Sequence, residues 1–226
     1  MNSAIIVAGG RGSRFSSDIP KQFVEILGRP LIVHTLERFE RCEDVDEIIL
    51  VLPQEYINEL RESSLFSSIT KLKVFVPGGA TRSESVSNGL AAVDPLAEVV
   101  AIHDGARPLV SVDEISRTID AARASGAACL VSSVTDTIKE ICDGVIVGTL
   151  DRVHLRRALT PQAFRVQLIR GALEASRLDE STTDDSMAVE RLGHKVVAVE
   201  GSHRNIKVTH KEDLAIAEMY LKGGIE

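Results

Sequence analysis

Short apolar runs recur along the chain and alternate with stretches of helical periodicity. The strand-like runs are Ala4–Ala8, Glu47–Leu52, Lys73–Val76, Val99–His103 and Ala127–Ser133. The amphipathic stretches between them are Leu31–Glu40, Ser83–Val93 and Val112–Ser125. Runs that are apolar on both faces suit strands that are covered by helices on either side. The pattern therefore predicts an α/β fold with a mostly parallel, Rossmann-like sheet and helices on both faces.

This alternation is interrupted between about Val134 and Leu159. Two strand-like runs, Thr137–Cys142 and Val145–Leu150, are joined through Asp143-Gly144, which is a strong hairpin signal. An isolated two-stranded ribbon is marginally stable in water, so it needs a packing partner. A second subunit and the hairpin's own domain both meet that need. We expect a single domain over residues 1–226 with an inserted β-hairpin arm at about 134–159 that mediates dimerisation.

Composition excludes several classes of function. The formal net charge is −7, whereas broad nucleic-acid binding needs a surplus of cations. No apolar stretch reaches the length of a membrane span, and the run Ala4–Ala8 is too short for a signal peptide. Cys42, Cys129 and Cys142 fit no metal-binding spacing and are typical of reduced thiols. We expect a soluble, cytoplasmic protein that binds neither nucleic acid nor membrane.

A glycine-rich loop follows the first predicted strand. Residues 8–14 read AGGRGSR, and Pro20-Lys21-Gln22 comes shortly after. Glycines let the backbone N–H groups approach an anion, and Arg11, Arg14 and Lys21 place three cations close to a single acid, Asp18. The spacing matches neither a dinucleotide fingerprint nor a Walker loop. A plain strand-to-helix turn also explains the glycines, but the added cations favour an anion or nucleotide site.

Three later segments carry further polar candidates. Residues 78–85 follow the third strand-like run and open a helix, where free N–H groups suit a base edge or an anion. Asp104 follows the fourth run and suits a ribose hydroxyl or a Mg²⁺-bound water, although a structural Asp104–Arg107 pair explains it equally well. Near the carboxyl end, Thr183 is typical of an N-cap for a helix over 184–192. Thr209 with Glu212 predicts a capping box for the last helix.

Taken in order, these segments match one family. The chain resembles the 2-C-methyl-D-erythritol 4-phosphate cytidylyltransferases over residues 8–14, 20–23, 79–85, 103–108, 136–139, 159–162 and 205–209. The resemblance implies transfer of CMP from CTP to 2-C-methyl-D-erythritol 4-phosphate in non-mevalonate isoprenoid synthesis. It also implies a homodimer and Mg²⁺ held mainly through the CTP phosphates, with no protein metal ligand assigned.

The resemblance also assigns roles to residues. Arg14 and Lys21 correspond to the catalytic pair that grips the triphosphate. The implied nucleotide-binding positions are Ala8, Gly9, Gly10, Gly12, Gly79, Arg82, Ser85 and Asp104. The implied substrate-binding positions are Arg107, Thr137, Arg152, Thr183 and Lys207, of which Thr137 and Arg152 on the arm reach the partner's site. Ala80 departs from the acid that many members carry, which puts one nucleotide contact in doubt, and Gly105 replaces a common Ala.

Two alternatives stay open at this point. A ribitol 5-phosphate cytidylyltransferase shares the same loops, although Asp151-Arg152 and residues 183–185 are more similar to the methylerythritol enzymes. A non-catalytic nucleotide-binding module is the alternative from another class. The joint presence of Arg14, Lys21, Asp104, Arg107 and Lys207 argues against it. A free-standing binding domain would also have little use for the arm.

Overall fold

The structure is a computed structural model that describes residues 1–10, 20–176 and 184–223. Within these ranges the strands are β1 Asn2–Val7, β2 Glu25–Ile26, β3 Arg29–Pro30, β4 Glu47–Leu52, β5 Leu72–Pro77, β6 Val99–Asp104, β7 Ala127–Ser133, β8 Lys139–Cys142, β9 Val145–Thr149, β10 Arg156–Arg165 and β11 Val197–Glu200. The helices are α1 Leu31–Arg41, α2 Gln54–Glu62, α3 Arg82–Ala91, α4 Val112–Ser125, α5 Val166–Ser176, α6 Asp185–Arg191 and α7 Glu212–Lys222. Short 3-10 turns cover Lys21–Phe23, Ser64–Phe66 and Arg152–His154. None of the described helices is both long and apolar enough to cross a bilayer.

Seven of the described strands form one sheet in the order β11-β7-β10-β6-β1-β4-β5. Neighbours pair in parallel except at β10, which runs antiparallel to both β6 and β7. The prediction of a mostly parallel α/β sheet is therefore confirmed. Because the carboxyl ends of the parallel strands share one edge, the loops that follow β1, β5 and β6 meet there.

The core lies on both faces of the sheet. Successive residues of a strand point to opposite faces, and β1 shows this directly. Ile6 belongs to a buried cluster with Phe39 of α1, whereas Ile5 belongs to a second cluster with Leu90 of α3 and Ile169 of α5. Burial on both sides explains why the parallel strands read as continuous apolar runs rather than as alternating ones.

A third, smaller cluster fixes the carboxyl-terminal part of the chain. Ile26, Leu31, Ala106, Val208 and Ala217 are buried together. The backbone N–H of Val208 also donates to the carbonyl of Ala106 at 2.8 Å. These contacts hold the segment before α7 against the loop after β6, so that its side chains reach the carboxyl edge of the sheet.

Helix starts follow local capping chemistry. A capping box of Ser111 with Glu114 begins α4. The prediction for the last helix is wrong: Glu212 is its first residue, and the N–H groups of Thr209 and His210 donate to Asp213 Oδ2 at 2.7 and 2.8 Å. Asp213, one position after Glu212, is close enough to accept hydrogen bonds from both N–H groups.

The predicted hairpin is present and leaves the sheet. β8 and β9 pair through Asp143 and Gly144, both at positive φ, as a tight hairpin turn requires. β10 already pairs with β7 from Arg156 onward, and Leu159 is buried. The protruding arm therefore spans residues 134–155, four residues shorter than the 134–159 expected from the sequence.

Candidate functional site

Two glycine loops meet at the carboxyl edge of the sheet. Gly9 follows β1 and Gly78 follows β5, with the end of β4 between them. A Cβ built on either glycine would lie 3.2 Å from the Cα of the other. Such an approach leaves no room for side chains, which is the physical reason for glycine at both positions. Around Gly10 the space is open, because a Cβ there meets no described heavy atom within 4 Å.

The hydroxyl of Ser85 joins these loops. It accepts a hydrogen bond from the Gly79 N–H at 3.0 Å and donates to the Thr81 carbonyl at 2.9 Å. Its Oγ also lies 3.4 Å from a Cβ built on Gly9. The carbonyl of Ala8 accepts from Gln22 Nε2 at 2.9 Å. The structure thus brings together Ala8, Gly9, Gly79 and Ser85, four of the residues that the resemblance assigns to nucleotide binding.

Three cations converge on the carboxylate of Asp104. Arg82 Nε lies 3.2 Å from Asp104 Oδ1, and Lys207 Nζ lies 2.8 Å from Oδ2. Arg107 Nε lies 3.6 Å from Oδ2, which is too long for a hydrogen bond. Asp104 is buried, so these charges interact with little screening from water. We refer to Asp104, Arg82, Arg107 and Lys207 as the Asp104 junction.

The junction sets the ionisation of its members. Burial alone would raise the pKa of Asp104, but Arg82, Lys207 and Arg107 together hold it well below its usual range. Burial lowers the pKa of Arg107, and Asp104 opposes that effect. At neutral pH the junction therefore carries three positive charges around one negative charge, and the excess is positive.

Arg82 connects the junction to α6. Its Nη2 lies 2.8 Å from Asp185 Oδ2, while its Nε faces Asp104. Burial opposes the charged form of Arg82, but Asp185 and Asp104 raise its pKa above the ordinary value. Asp184 is the N-cap of α6 and accepts from the Met187 N–H at 3.0 Å. Arg82, which is predicted to bind the nucleotide, thus connects the start of α3 with the end of β6 and the start of α6.

A buried hydrogen-bond chain supports the junction from below. Thr160 Oγ1 accepts from the Asp104 N–H at 3.1 Å and lies 3.0 Å from His103 Nδ1. His103 Nε2 lies 3.1 Å from the Arg107 carbonyl, which can only accept. The consistent assignment has the Thr160 hydroxyl donating to Nδ1 and the Nε2–H donating to Arg107. The chain fixes the backbone on both sides of the carboxylate.

His103 is a neutral structural group in this arrangement. Burial lowers its pKa to about 3, against the smaller raising effects of the Arg107 carbonyl and Asp104. Both ring nitrogens already have partners. The imidazole therefore has no free nitrogen with which to take a proton from a substrate, and the arrangement does not suit a general base.

Lys21 lies beside the segment that carries Lys207. It begins the 3-10 turn after the glycine loop, and its Nζ donates to the Val208 carbonyl at 3.2 Å. The predicted catalytic lysine thus contacts Val208, the residue that follows Lys207 in the chain. Arg14, Gly12 and Thr183, which complete the predicted set, lie outside the described residues.

Thr137 and Arg152 stand apart from the junction. Both are exposed on the arm, and the guanidinium of Arg152 donates to the Thr135 carbonyl. Within the described ranges neither residue contacts the Asp104 junction of its own chain. Their reach into a partner's site stays a prediction.

Several residues that shape the site were given no individual role from the sequence, although they lie in segments that carry the family resemblance. They are His103, Thr160, Asp185 and Asn205, whose Nδ2 donates to the Thr160 carbonyl at 3.0 Å and whose own carbonyl accepts from Arg107 at 2.8 Å. Each is a buried polar residue next to a predicted site residue or at the end of an apolar run. That position was the available signal, because buried polar groups need a partner of defined geometry.

The residues present offer limited ligands for a metal ion. The described part of the chain contains no group of three His, Cys, Asp or Glu side chains that could enclose a cation. Of the two carboxylates that contact Arg82, Asp104 is surrounded by cations and Asp185 pairs with Arg82 itself. This donor set fits a Mg²⁺ ion that arrives with a polyphosphate, since Mg²⁺ is commonly bound by substrate phosphates and one or two carboxylates.

Comparison with known proteins gives a consistent result. The family model described as "IspD: 2-C-methyl-D-erythritol 4-phosphate cytidylyltransferase" matches residues 2–223. The 2-C-methyl-D-erythritol 4-phosphate cytidylyltransferase of Syntrophus aciditrophicus is 45% identical over 222 residues, covering 97% of this chain and 95% of that protein. The enzyme of the same name from Geobacter metallireducens is 41% identical over 224 residues, covering 97% of each.

Solved structures show the same similarity. The crystal structure of 4-diphosphocytidyl-2C-methyl-D-erythritol synthase from Anaerococcus prevotii superposes with a TM-score of 0.87 at 34% identity, covering 98% of this chain and 96% of that one. The Francisella tularensis 2-C-methyl-D-erythritol 4-phosphate cytidylyltransferase gives 0.81 at 32% identity, covering 96% and 98%. The match spans the glycine loops, the Asp104 junction and the arm alike, and the chain belongs to the 2-C-methyl-D-erythritol 4-phosphate cytidylyltransferase (IspD) family.

Proposed function

We propose that this protein transfers CMP from CTP to 2-C-methyl-D-erythritol 4-phosphate and releases pyrophosphate. Family membership supports the reaction class. The observation that carries the proposal within the structure is the Asp104 junction beside the paired glycines Gly9 and Gly78. A cation-rich, backbone-lined edge of this kind suits two phosphate-bearing substrates that must be brought together.

The chemistry needs charge and position rather than a base. An oxygen of the polyol phosphate attacks the α-phosphorus of CTP, a new P–O bond forms, and the bond to the bridging oxygen of the β-phosphate breaks. The second pKa of a phosphate monoester is near 6, so the nucleophile is largely ionised at neutral pH. The engaged ring nitrogens of His103 are in keeping with a reaction that requires no protein base.

The cations of the site offset the repulsion between the two polyanionic substrates. Lys21 and Arg14 face the triphosphate and stabilise the charge that develops at the α-phosphoryl group. Asp104 contacts the nucleotide ribose, and Arg107 with Lys207 and Thr183 holds the polyol phosphate. The nucleotide base is held by Ala8, Gly9, Gly79 and Ser85. Mg²⁺, carried in by CTP and held mainly through its phosphates, would neutralise part of the triphosphate charge.

The arm completes the proposed enzyme as a homodimer. Its apolar side chains Ile141, Val145, Ile146 and Val147 are each 58–64% exposed. A ribbon with so much apolar surface is stable only when it packs against another surface. In the dimer, Thr137 and Arg152 of one protomer contribute to the substrate site of its partner.

Pyrophosphate release, scored for a grid of nucleotides and polyol phosphates, tests the proposal. We expect turnover with CTP and 2-C-methyl-D-erythritol 4-phosphate, and slower turnover with ribitol 5-phosphate or with other nucleotides. A preference for ribitol 5-phosphate would reassign the polyol. CTP binding without pyrophosphate release for any polyol phosphate would leave a nucleotide-binding module instead of an enzyme.

A further inference from the structure

Arg157 lies at the carboxyl edge of the sheet beside the Asp104 junction. It is the second residue of β10 and pairs directly with Ser132 near the end of β7. Ser132 is two residues beyond Leu130, which packs in the cluster beneath α1 and α4. Residues paired across two strands share a face, so Arg157 projects on the α4 side of the sheet.

The segment 201–208 crosses this same edge. The Gly201 N–H donates to the Val131 carbonyl at 2.7 Å, Asn205 Nδ2 donates to the Thr160 carbonyl at 3.0 Å, and the Val208 N–H donates to Ala106 at 2.8 Å. The segment therefore runs from β7 past β10 to the loop after β6. Arg107 donates to the Asn205 carbonyl midway along it. Arg157 on β10 and Arg107 after β6 thus lie on neighbouring elements at this edge, close enough for the charge of Arg157 to act on Arg107.

The described residues leave the charges at this edge unbalanced. Among the described residues, no acceptor or carboxylate pairs with Arg157, whereas Arg82, Arg107 and Lys207 all face Asp104. Arg107 Nε and Asn205 Oδ1 are buried without a described hydrogen-bond partner. Burial is the main cause that lowers the pKa of Arg107, and the positive charge of Arg157 lowers it further.

The excess charge matches one ligand group. Arg82, Arg107 and Lys207 face Asp104, Arg82 also pairs with Asp185, and the charge of Arg157 acts on Arg107. These four cations and two carboxylates leave an excess of two positive charges. A phosphate monoester carries close to two negative charges at neutral pH. We infer that Arg157 is an additional phosphate-binding residue, which together with Arg107 of the same subunit holds the phosphate of the acceptor substrate. This role rests on the proposed function and extends it to a residue outside the segments that carry the family resemblance.

The neighbouring arginine offers a matched control. Arg156 pairs with Glu200 and donates to the carbonyls of Val153 and Leu155. Arg156→Ala and Arg157→Ala remove the same charge from adjacent positions of one strand. With CTP saturating, Arg157→Ala is expected to raise KM for the polyol phosphate about tenfold, as loss of a hydrogen bond to a charged group does. We expect unchanged KM for CTP, and partial recovery in Arg157→Lys because the charge returns without the planar fork.

Equal KM values for the polyol phosphate in Arg156→Ala and Arg157→Ala would overturn the role of Arg157. Thermal unfolding of each variant checks that the fold is intact, and Arg157→Gln replaces Arg157→Ala if the shorter side chain does not fold. If the wild-type protein releases no pyrophosphate, the proposed activity fails separately. Calorimetric titration with inorganic phosphate then decides: weaker binding by Arg157→Ala alone supports the site, and equal binding by all variants contradicts it.

Discussion

Lys207 Nζ lies 2.8 Å from Asp104 Oδ2, so the segment before the last helix forms an ion pair with the end of a central strand. The pair exists because Val208 and Ala217 are buried in one cluster with Ala106. That cluster docks the carboxyl-terminal segment over the loop after β6. Apolar packing away from the site thus sets the position of the Lys207 ammonium group in the site.

Removing the shared carboxylate should leave three cations without their common partner. We expect Asp104→Asn to lower the free energy of unfolding by about 3 kcal/mol, because breaking a buried ion pair leaves uncompensated charge. Added sulfate should restore more stability to this variant than to the wild type, since an anion can replace the missing charge. Urea unfolding with and without sulfate measures both effects.

Asp113→Asn serves as the control for this change. Asp113 pairs with Arg117 on an exposed helix face, where an ion pair contributes little. The same loss of stability in both variants, or no response of Asp104→Asn to sulfate, would contradict the junction.

The buried imidazole of His103 predicts a specific pH dependence. Its pKa is about 3 in the folded protein and 6.5 as an ordinary histidine, so between these values the unfolded chain binds more protons. Its contribution to stability is complete above pH 6.5 and is lost as the pH falls, at about 1.4 kcal/mol per pH unit. His103→Gln keeps a donor and an acceptor but does not titrate.

Urea unfolding at about pH 7 and about pH 5 compares the two proteins. The variant is expected to be less stable at neutral pH and to lose less stability on acidification than the wild type. Parallel losses in the two proteins would mean that His103 is not held neutral by burial.

The arm is expected to hold two protomers together. Ile141 and Ile146 are paired across the hairpin and are 63% and 60% exposed. Replacing both with Ser removes apolar area that a partner would bury. The double variant should therefore already dissociate at protein concentrations at which the wild type is still dimeric. Sedimentation velocity over a concentration series measures this. Leu96→Ser, which removes an 81% exposed leucine away from the arm, should leave association unchanged, and equal behaviour of both variants would remove the arm from the interface.

A shared site predicts complementation between two impaired variants. In a dimer of one Arg152→Ala protomer and one Lys21→Ala protomer, one of the two sites contains both native residues, because Arg152 acts on the partner's site. Mixing the two variants with exchange of subunits should therefore restore pyrophosphate release at one site of each mixed dimer. Arg152→Ala alone is expected to weaken binding of the polyol phosphate. Absence of rescue, with mixed dimers shown to form, would place Arg152 outside the site.

Local patterns predicted most of the fold. The parallel strands are apolar runs because both faces are covered, and Asp143-Gly144 marks a turn whose φ angles few other residues adopt. The long antiparallel strand β10 was not predicted, because Thr160 and Pro161 interrupt its apolar pattern. In the structure the register of β10 with β7 shifts between Ala158 and Gln162, and this irregular pairing accommodates both residues. Its start inside the expected arm explains why the arm is shorter than predicted.

The site was predicted only in part for a related reason. The glycine loops and Asp104 lie at strand ends, a position that sequence order alone indicates. The contact of Asp104 with Lys207 and the support by Thr160 depend on how distant segments pack. Spacing within a sequence carries no record of such contacts, so the structural roles of Asp185 and Asn205 became visible only in three dimensions.

The rate of pyrophosphate release by Lys21→Ala tests most directly whether positioned cations drive this reaction. The Lys21 ammonium group lies beside the segment of Lys207 and follows the glycine loop. We expect kcat to fall about a hundredfold or more with the fold intact, as loss of one preorganised charge does in such sites. Lys73→Ala, which removes an exposed lysine of β5, should retain the wild-type rate. A Lys21→Ala enzyme as fast as the Lys73→Ala control would show that catalysis does not depend on this charge.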